Sequence, residues 1–488
     1  MIVDNQYPVR LTMDQNSFRT LPELVGYLRN ELSNVSAREA LEGLQEVVGN
    51  EVTIRYEIID EPGVASAREE ISTVPKSKYA NVDGKKLSRI LLTSYKRRAD
   101  LSTELYRQLN GIVLQFPGWK VLAVPGSMFN QKPRESEIVK NLSDYDIYPI
   151  IDGTVVTLYW YESGNNPGSW RLSSTNGFDV TDYCWMSGIT YFNAIMKIAE
   201  RYPQFSLARL NKSCSYTIGF RHHDFHPMRS DPEKLWFIQS CNLIVLNNLL
   251  VTPLSASQFL DSSASKTSTQ AQPMLIINNN CDIGIPIQRP LLFNTDDGVA
   301  IMAMLQQYND NSLDTFMRGA KGDFINEPHY GYFLRPKAHR LDLYDIMFES
   351  KVLNLLRKTM YNFPKKRALG DGELTASTRV EYAILRAYLG INIRYPFITL
   401  FPQYESTYKR YDDLFNKIAS RIIQIISKRN DKKHTDNRIE TLAQSFADHI
   451  KSTGVNVTNS EGLNIILSFL RDQRYLELYF NAIVIGKK

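Results

Sequence analysis

Tyr145-Asp146-Ile147-Tyr148-Pro149-Ile150-Ile151-Asp152-Gly153-Thr154 reads as a strand that ends in a turn, and the runs around it set the fold. Its β-branched and aromatic residues suit a pleated, half-buried surface. Asp152-Gly153 is turn chemistry, with a glycine expected at positive φ and an aspartate that caps it. Asn110-Gly111-Ile112-Val113-Leu114-Gln115 and Trp119-Lys120-Val121-Leu122-Ala123-Val124-Pro125 precede it; Val155-Val156-Thr157-Leu158-Tyr159-Trp160 and Trp170-Arg171-Leu172-Ser173 follow. Such runs, separated by Gly, Asn and Pro turns, continue from about residue 105 to 345. They predict a twisted antiparallel sheet with Asp152-Gly153 at a strand end beside a cleft. A polar stretch at about 254–273, including Ser262-Ser263-Ala264-Ser265, cannot bury much apolar surface and is expected as an exposed loop.

The flanking regions have a different period. Leu21, Leu24, Val25, Leu28 and Leu32 recur at helical spacing, Ser36 opens a capping box before Ala40-Leu41, and Val52 to Ile58 alternates like a strand. Beyond about 345, Val352, Leu355, Leu356 and Met360 fall on one helical face, as do Leu414, Ile418, Ile422 and Ile425. Ile439, Leu442 and Phe446, and Leu463, Ile466, Leu467 and Leu470, continue that pattern. The expected class is α+β: an N-terminal α+β module over 1–95, an antiparallel-sheet core over 96–345, and an all-helical C-terminal domain of roughly four to six helices over 346–488.

Composition narrows the function classes. The 488 residues, 43% hydrophobic and 22% charged, suit a soluble globular chain of roughly two to four domains. A net charge of +5 permits contact with phosphate backbones without demanding it. Basic clusters occur at Lys96-Arg97-Arg98, Lys428-Arg429, Lys432-Lys433, Lys487-Lys488 and Lys365-Lys366-Arg367, the last being the candidate nucleic-acid contact. Cys184, Cys214, Cys241 and Cys281 are too widely spaced for a zinc site and read as reduced thiols. The first residues lack a secretory pattern, and no run of about 18 apolar residues would span a membrane, so a cytoplasmic location is the default expectation.

The run from about 105 to 180 resembles the phage-type ATP-dependent RNA ligases of the covalent nucleotidyltransferase superfamily. Asn110-Gly111-Ile112 is similar to their Arg-Gly-Ile strand. Phe129-Asn130 matches their Phe-Asn dipeptide, and Ile150-Ile151-Asp152-Gly153 stands at their Lys-x-Asp-Gly motif. The resemblance implies a nucleotidyltransferase core, and in the family that lysine attacks the α-phosphate and carries the nucleotide. Here its position is Ile150, which has no lone pair, so no catalytic residue is assigned. Ser215-Tyr216-Thr217-Ile218-Gly219-Phe220-Arg221 resembles the strand that supplies a ribose carboxylate, with Gly219 in the glutamate's place. His329-Tyr330-Gly331-Tyr332-Phe333-Leu334-Arg335 resembles the strand that helps hold metal, with Tyr330 in the glutamate's place.

What the resemblance implies is a catalytically degenerate fold. Its nucleotide-pocket remnant would be Asp152, Gly153, Arg171, Gly219, Arg221, Tyr330 and Arg335, with no metal ligands. It would act as a nucleic-acid-binding or assembly subunit, contacting RNA or DNA through phosphates, or other proteins of a viral complex in a virion or viral factory if the source is a large DNA virus. No cofactor is then expected. An active ligase or capping-type enzyme with displaced groups would use ATP and Mg2+, with Lys120, Lys132 or Lys140 as relocated nucleophile candidates. Gly126-Ser127 with Asp144-Tyr145-Asp146 also resembles a poly(A)-polymerase-type signature. A purely structural interaction protein is the third alternative. His222, His223 and His226 cluster in sequence, but alternation sends the first two to opposite strand faces, which favours a turn over a metal site.

Overall fold

A computed structural model of the protein describes residues 18–60, 64–71, 86–94, 103–126, 142–162, 167–184, 189–223, 225, 233–247, 276–278, 282–319, 330–337, 345–360, 376–427, 437–453, 462–470 and 479. The polar stretch at 254–273, Phe129-Asn130, Lys132, Lys140, His226 and all five basic clusters lie outside these residues.

The chain opens with helices α1 (Leu21–Leu32) and α2 (Ala37–Val48). Each begins at a reciprocal capping box: Thr20 with Glu23, and Ser36 with Glu39. Two orphan backbone N–H groups are satisfied at each helix start, which fixes where the helix begins. Strands β1 (Val52–Asp60), β2 (Val64–Ile71) and β3 (Lys86–Ser94) follow, then helix α3 (Glu104–Gln108) and strands β4 (Asn110–Gln115) and β5 (Lys120–Ala123). They form one antiparallel sheet in the order β2-β1-β3-β4-β5. The boundary drawn near residue 95 thus falls between two hydrogen-bonded strands of one sheet. Leu21, Leu24, Leu28, Leu41 and Leu44 bury the helices against this sheet, and the Trp119 indole N–H donates to the Leu32 carbonyl at 3.0 Å.

A second antiparallel sheet, in the order β11-β10-β9-β7-β8, comprises β7 (Thr154–Tyr161), β8 (Ser169–Ser173), β9 (Cys214–Arg221), β10 (Lys234–Asn242) and β11 (Ile276–Asn278). Helix α4 (Tyr191–Ala199) covers one face, burying Ala194, Ile195 and Ile198 with Ile218 and Phe237. The short α5 (Leu243–Asn247) continues β10. A third sheet, in the order β13-β12-β6, joins β6 (Tyr145–Pro149), β12 (Gly331–Pro336) and β13 (Ile346–Glu349), with α6 (Gly298–Gly319) packed through Ile301 and Leu305.

The stretch read as one strand from Tyr145 to Thr154 is therefore two strands in different sheets. β6 ends at Pro149, one further backbone bond runs from the Ile150 N–H to the Gly331 carbonyl, and residues 150–153 cross to β7. Gly153 is not among the glycines at positive φ, so its role there is not the expected left-handed turn.

Six α-helices are described beyond residue 345: α7 (Lys351–Met360), α8 (Ala376–Leu389), α9 (Ile391–Leu400), α10 (Glu405–Ile426), α11 (Asn437–Thr453) and α12 (Gly462–Leu470). They share one core that includes Phe397, Phe415, Ile418, Phe446 and Ile466, and the α+β class holds. No helix among the described residues is long and apolar enough to cross a membrane.

Candidate functional site: a cleft between the sheets

The first two sheets approach each other across an apolar cluster of Leu91, Val113, Leu122, Tyr159, Tyr161 and Phe178. Inside this contact the Arg89 guanidinium makes a fork with Glu57 at 2.6 and 2.8 Å, and reaches the Tyr159 hydroxyl at 2.8 Å and Asp179 at 3.2 Å. It also lies over the Tyr161 ring at 4.2 Å. Burial alone would lower the Arg89 pKa, but Tyr159, Glu57 and Asp179 together raise it above its ordinary value. Burial pushes the Tyr159 phenol up. The chain thus ties β1 and β3 of one sheet to β7 of the other through a charge network rather than apolar packing alone.

Beside this tie lies a cleft of about 590 Å3. Alternation along the strands builds its floor. In β9, Tyr216, Ile218 and Phe220 face the α4 core, so Ser215, Thr217, Gly219 and Arg221 point the other way. Thr217 pairs with Thr157 of β7, their hydroxyls 3.3 Å apart, and Thr157 pairs with Ser173 of β8. Thr157, Ser173 and Thr217 all line the cleft. Asn110 and Gly126 contribute from the first sheet's side, Ile150 and Ile151 from the crossing, and Phe333 and Arg335 from β12. The described lining residues include no lysine, histidine or carboxylate; Arg335 is their one charged side chain.

Trp236 decides the shape. It is 2% exposed, lines the cleft, and lies opposite Gly219 in the β9–β10 ladder. A Cβ at Gly219 would stand 2.1 Å from the indole, and one at Gly153 would stand 2.5 Å from its far edge. Both glycines are therefore required by space: the indole occupies the volume a side chain at 219 would need, and its far edge that of a side chain at 153.

The residues singled out by sequence separate in space. Ile150 lines the cleft and also packs against the helical C-terminal core, its backbone N–H donating to the Gly331 carbonyl at 2.8 Å. Tyr330, 2% exposed, is a member of that helical core and does not line the cleft. Arg335 lines it, with Nε 3.7 Å from Asp345. Asp152 is buried outside the lining, and Gly153 and Gly219 lie beneath Trp236. Arg171 points along the outer strand, 3.7 Å from Asp179, and Arg221 is buried at the end of β9; neither lines the cleft. His222 is buried with Nε2 3.2 Å from Glu233, while His223 is exposed. Among the described residues no group of three His, Cys, Asp or Glu is placed to hold a metal. Lys120 sits at the start of β5 and is exposed, away from the lining. Lys365, Lys366 and Arg367 lie outside the described residues.

Sequence reading did not single out Trp236, Thr217, Thr157, Asn110 and Gln288, which all line the cleft. The available signal was small or polar residues at alternate positions of β9, Ser215, Thr217 and Gly219, set against large apolar ones between them.

The chain is RNA-ligase-like in sequence over most of its length. It is 25% identical across 96% of its length to 99% of a protein named "Putative RNA-ligase" from a Malawi tick isolate of African swine fever virus. It is 27% identical across 77% of its length to 78% of the protein of that name from a South African tick isolate of the same virus. A Kenyan pig isolate carries a third, 28% identical across 64% of this chain and 66% of its own length. No family model matches the chain.

Proposed function

We propose that this RNA-ligase-like protein does not load itself with nucleotide, and that it serves as a nucleic-acid-binding or assembly subunit of a viral system. The observation that carries this reading is the occupancy of the former chemical positions. Ile150, where the family's nucleophile would stand, is part of the cleft wall and a contact of the helical core. Tyr330, in the place of a metal carboxylate, is a core residue of the helices, and Trp236 covers Gly219. The three positions hold packing in place of an amine and two carboxylates. The described donor set does not fit ATP with Mg2+: without lysine or carboxylate in the lining, the charge that develops during attack on a triphosphate would go unstabilised.

Incubation with α-labelled ATP or GTP, a divalent metal and a short RNA, followed by denaturing electrophoresis, tests it. No label on the protein and an unchanged RNA are expected. A covalent, acid-labile label or a lengthened RNA would overturn the reading and restore the active-enzyme alternative.

A further inference from the structure

We propose that Asn176-Gly177 is a self-modification site, at which Asn176 cyclises, releases ammonia and becomes aspartate or isoaspartate, with the Arg55 guanidinium as the promoting group. The chain contains two Asn-Gly dipeptides, at 110–111 and 176–177. Glycine has no Cβ to shield its amide nitrogen from the preceding carboxamide, so either pair would cyclise in an unfolded chain. The fold separates them. Asn110 is paired in the β3–β4 ladder and its Nδ2 donates to the Gly126 carbonyl at 2.7 Å, while a Cβ at Gly111 would stand 2.9 Å from the Ser174 carbonyl oxygen. Asn176 is exposed in the turn that follows β8. Its turn is loosely bonded: the Asn176 N–H donates to Ser174 Oγ at 3.3 Å, and the Gly177 N–H donates to the Ser174 carbonyl at 3.4 Å. Little must therefore break before the Gly177 nitrogen attacks.

Arg55, on β1 of the first sheet, makes the deciding contact, its Nη1 donating to the Asn176 carbonyl oxygen. That oxygen belongs to the same peptide group as the attacking nitrogen. When the Gly177 N–H gives its proton to hydroxide, the negative charge spreads onto this oxygen, where a positioned cation stabilises it. The Gly177 nitrogen then bonds to Cγ of Asn176, the Cγ–Nδ2 bond breaks, and ammonia leaves with a proton from water. Water opens the ring at the side-chain carbonyl to give aspartate, or at the main-chain carbonyl to give isoaspartate. Asn176 lines the cleft, where Arg335 is the one charged side chain among the described residues, so the product adds a carboxylate to that lining. Isoaspartate also lengthens the backbone between 176 and 177, which disrupts the Ser174–Gly177 bridge.

Ageing the full chain at pH 7, 8 and 9, digesting it in acid and following both peptides by mass spectrometry tests the proposal. Asn176 should convert at least about tenfold faster than Asn110, whose firm hydrogen bond and ladder pairing must first break. Its rate should rise in proportion to hydroxide. Arg55→Met should slow conversion at Asn176 by about tenfold, the worth of one charge-assisted hydrogen bond, and Arg55→Lys should restore it in part. Asn110 in the same digest reports whether each variant is folded, because an unfolded chain would convert both pairs. If Arg55 only clamps the turn, its removal frees the tip and speeds conversion. Faster or unchanged conversion in folded Arg55→Met, equal conversion at the two dipeptides, or none at Asn176 would overturn the proposal.

Discussion

At the scale of single residues, position 150, aligned by the proposed reading with the family's nucleophile, is a packing position. Ile150 faces two ways, to the cleft and to the helical core. Ile150→Lys should not restore adenylylation, because positions 219 and 330 still lack carboxylates, and it should cost about 1–2 kcal/mol of stability from lost apolar contact, part of it spared by the lysine reaching into the cleft. Denaturant titration with the labelling assay checks both; lysine-linked nucleotide in that variant would place the missing carboxylates elsewhere. Gly219→Glu, the substitution that would rebuild the ribose carboxylate, meets the indole 2.1 Å from its Cβ and should destabilise by about 3 kcal/mol or more, read as a fall in Tm. The cysteines offer a reactivity test: burial pushes the Cys241 thiol up to about 12, so it remains a thiol through neutral and mildly alkaline pH, while Cys184 is exposed. Timed alkylation with mass spectrometry at pH 8 should modify Cys184 well before Cys241.

Among the elements, the tie between the two sheets concentrates energy at one arginine. Arg89 is held by Glu57, Tyr159 and Asp179, with Ser88 Oγ 2.6 Å from the Tyr161 hydroxyl alongside. Removing one partner of such a buried group leaves the others uncompensated, so Arg89→Met should cost about 3–5 kcal/mol. The double variant with Glu57→Gln should cost less than the sum of the two singles, because the orphaned charge is removed too. Additive costs in a double-mutant cycle would show that the two groups act independently. Helix starts are governed more locally: the Ser36 capping box is legible in Ser-Ala-Arg-Glu because all its partners lie within one turn.

Over the whole molecule, the expected behaviour is phosphate binding through dispersed basic residues. The chain carries a net charge of +5, and Lys365, Lys366 and Arg367 form its candidate contact. A short single-stranded RNA should bind weakly and with steep salt dependence. Charge reversal at those three positions should flatten the slope of log K against log salt by about 2, and binding indifferent to salt would move the protein into the purely structural class. The sequence by itself determined the α+β class, the first two helices, the helical period beyond residue 345 and the isoleucine identity of position 150, because periodicity, capping and residue identity are local properties. It did not determine that Tyr145–Thr154 divides between two sheets, that β1 to β5 form one sheet across the boundary near 95, or that Arg171 and Arg221 stay out of the cleft lining. Those outcomes depend on strand pairing between residues far apart in the chain. The same holds for Trp236: its identity is plain in the sequence, but only the β9–β10 register sets it over Gly219, and only the crossing from the third sheet brings Gly153 beneath the same ring.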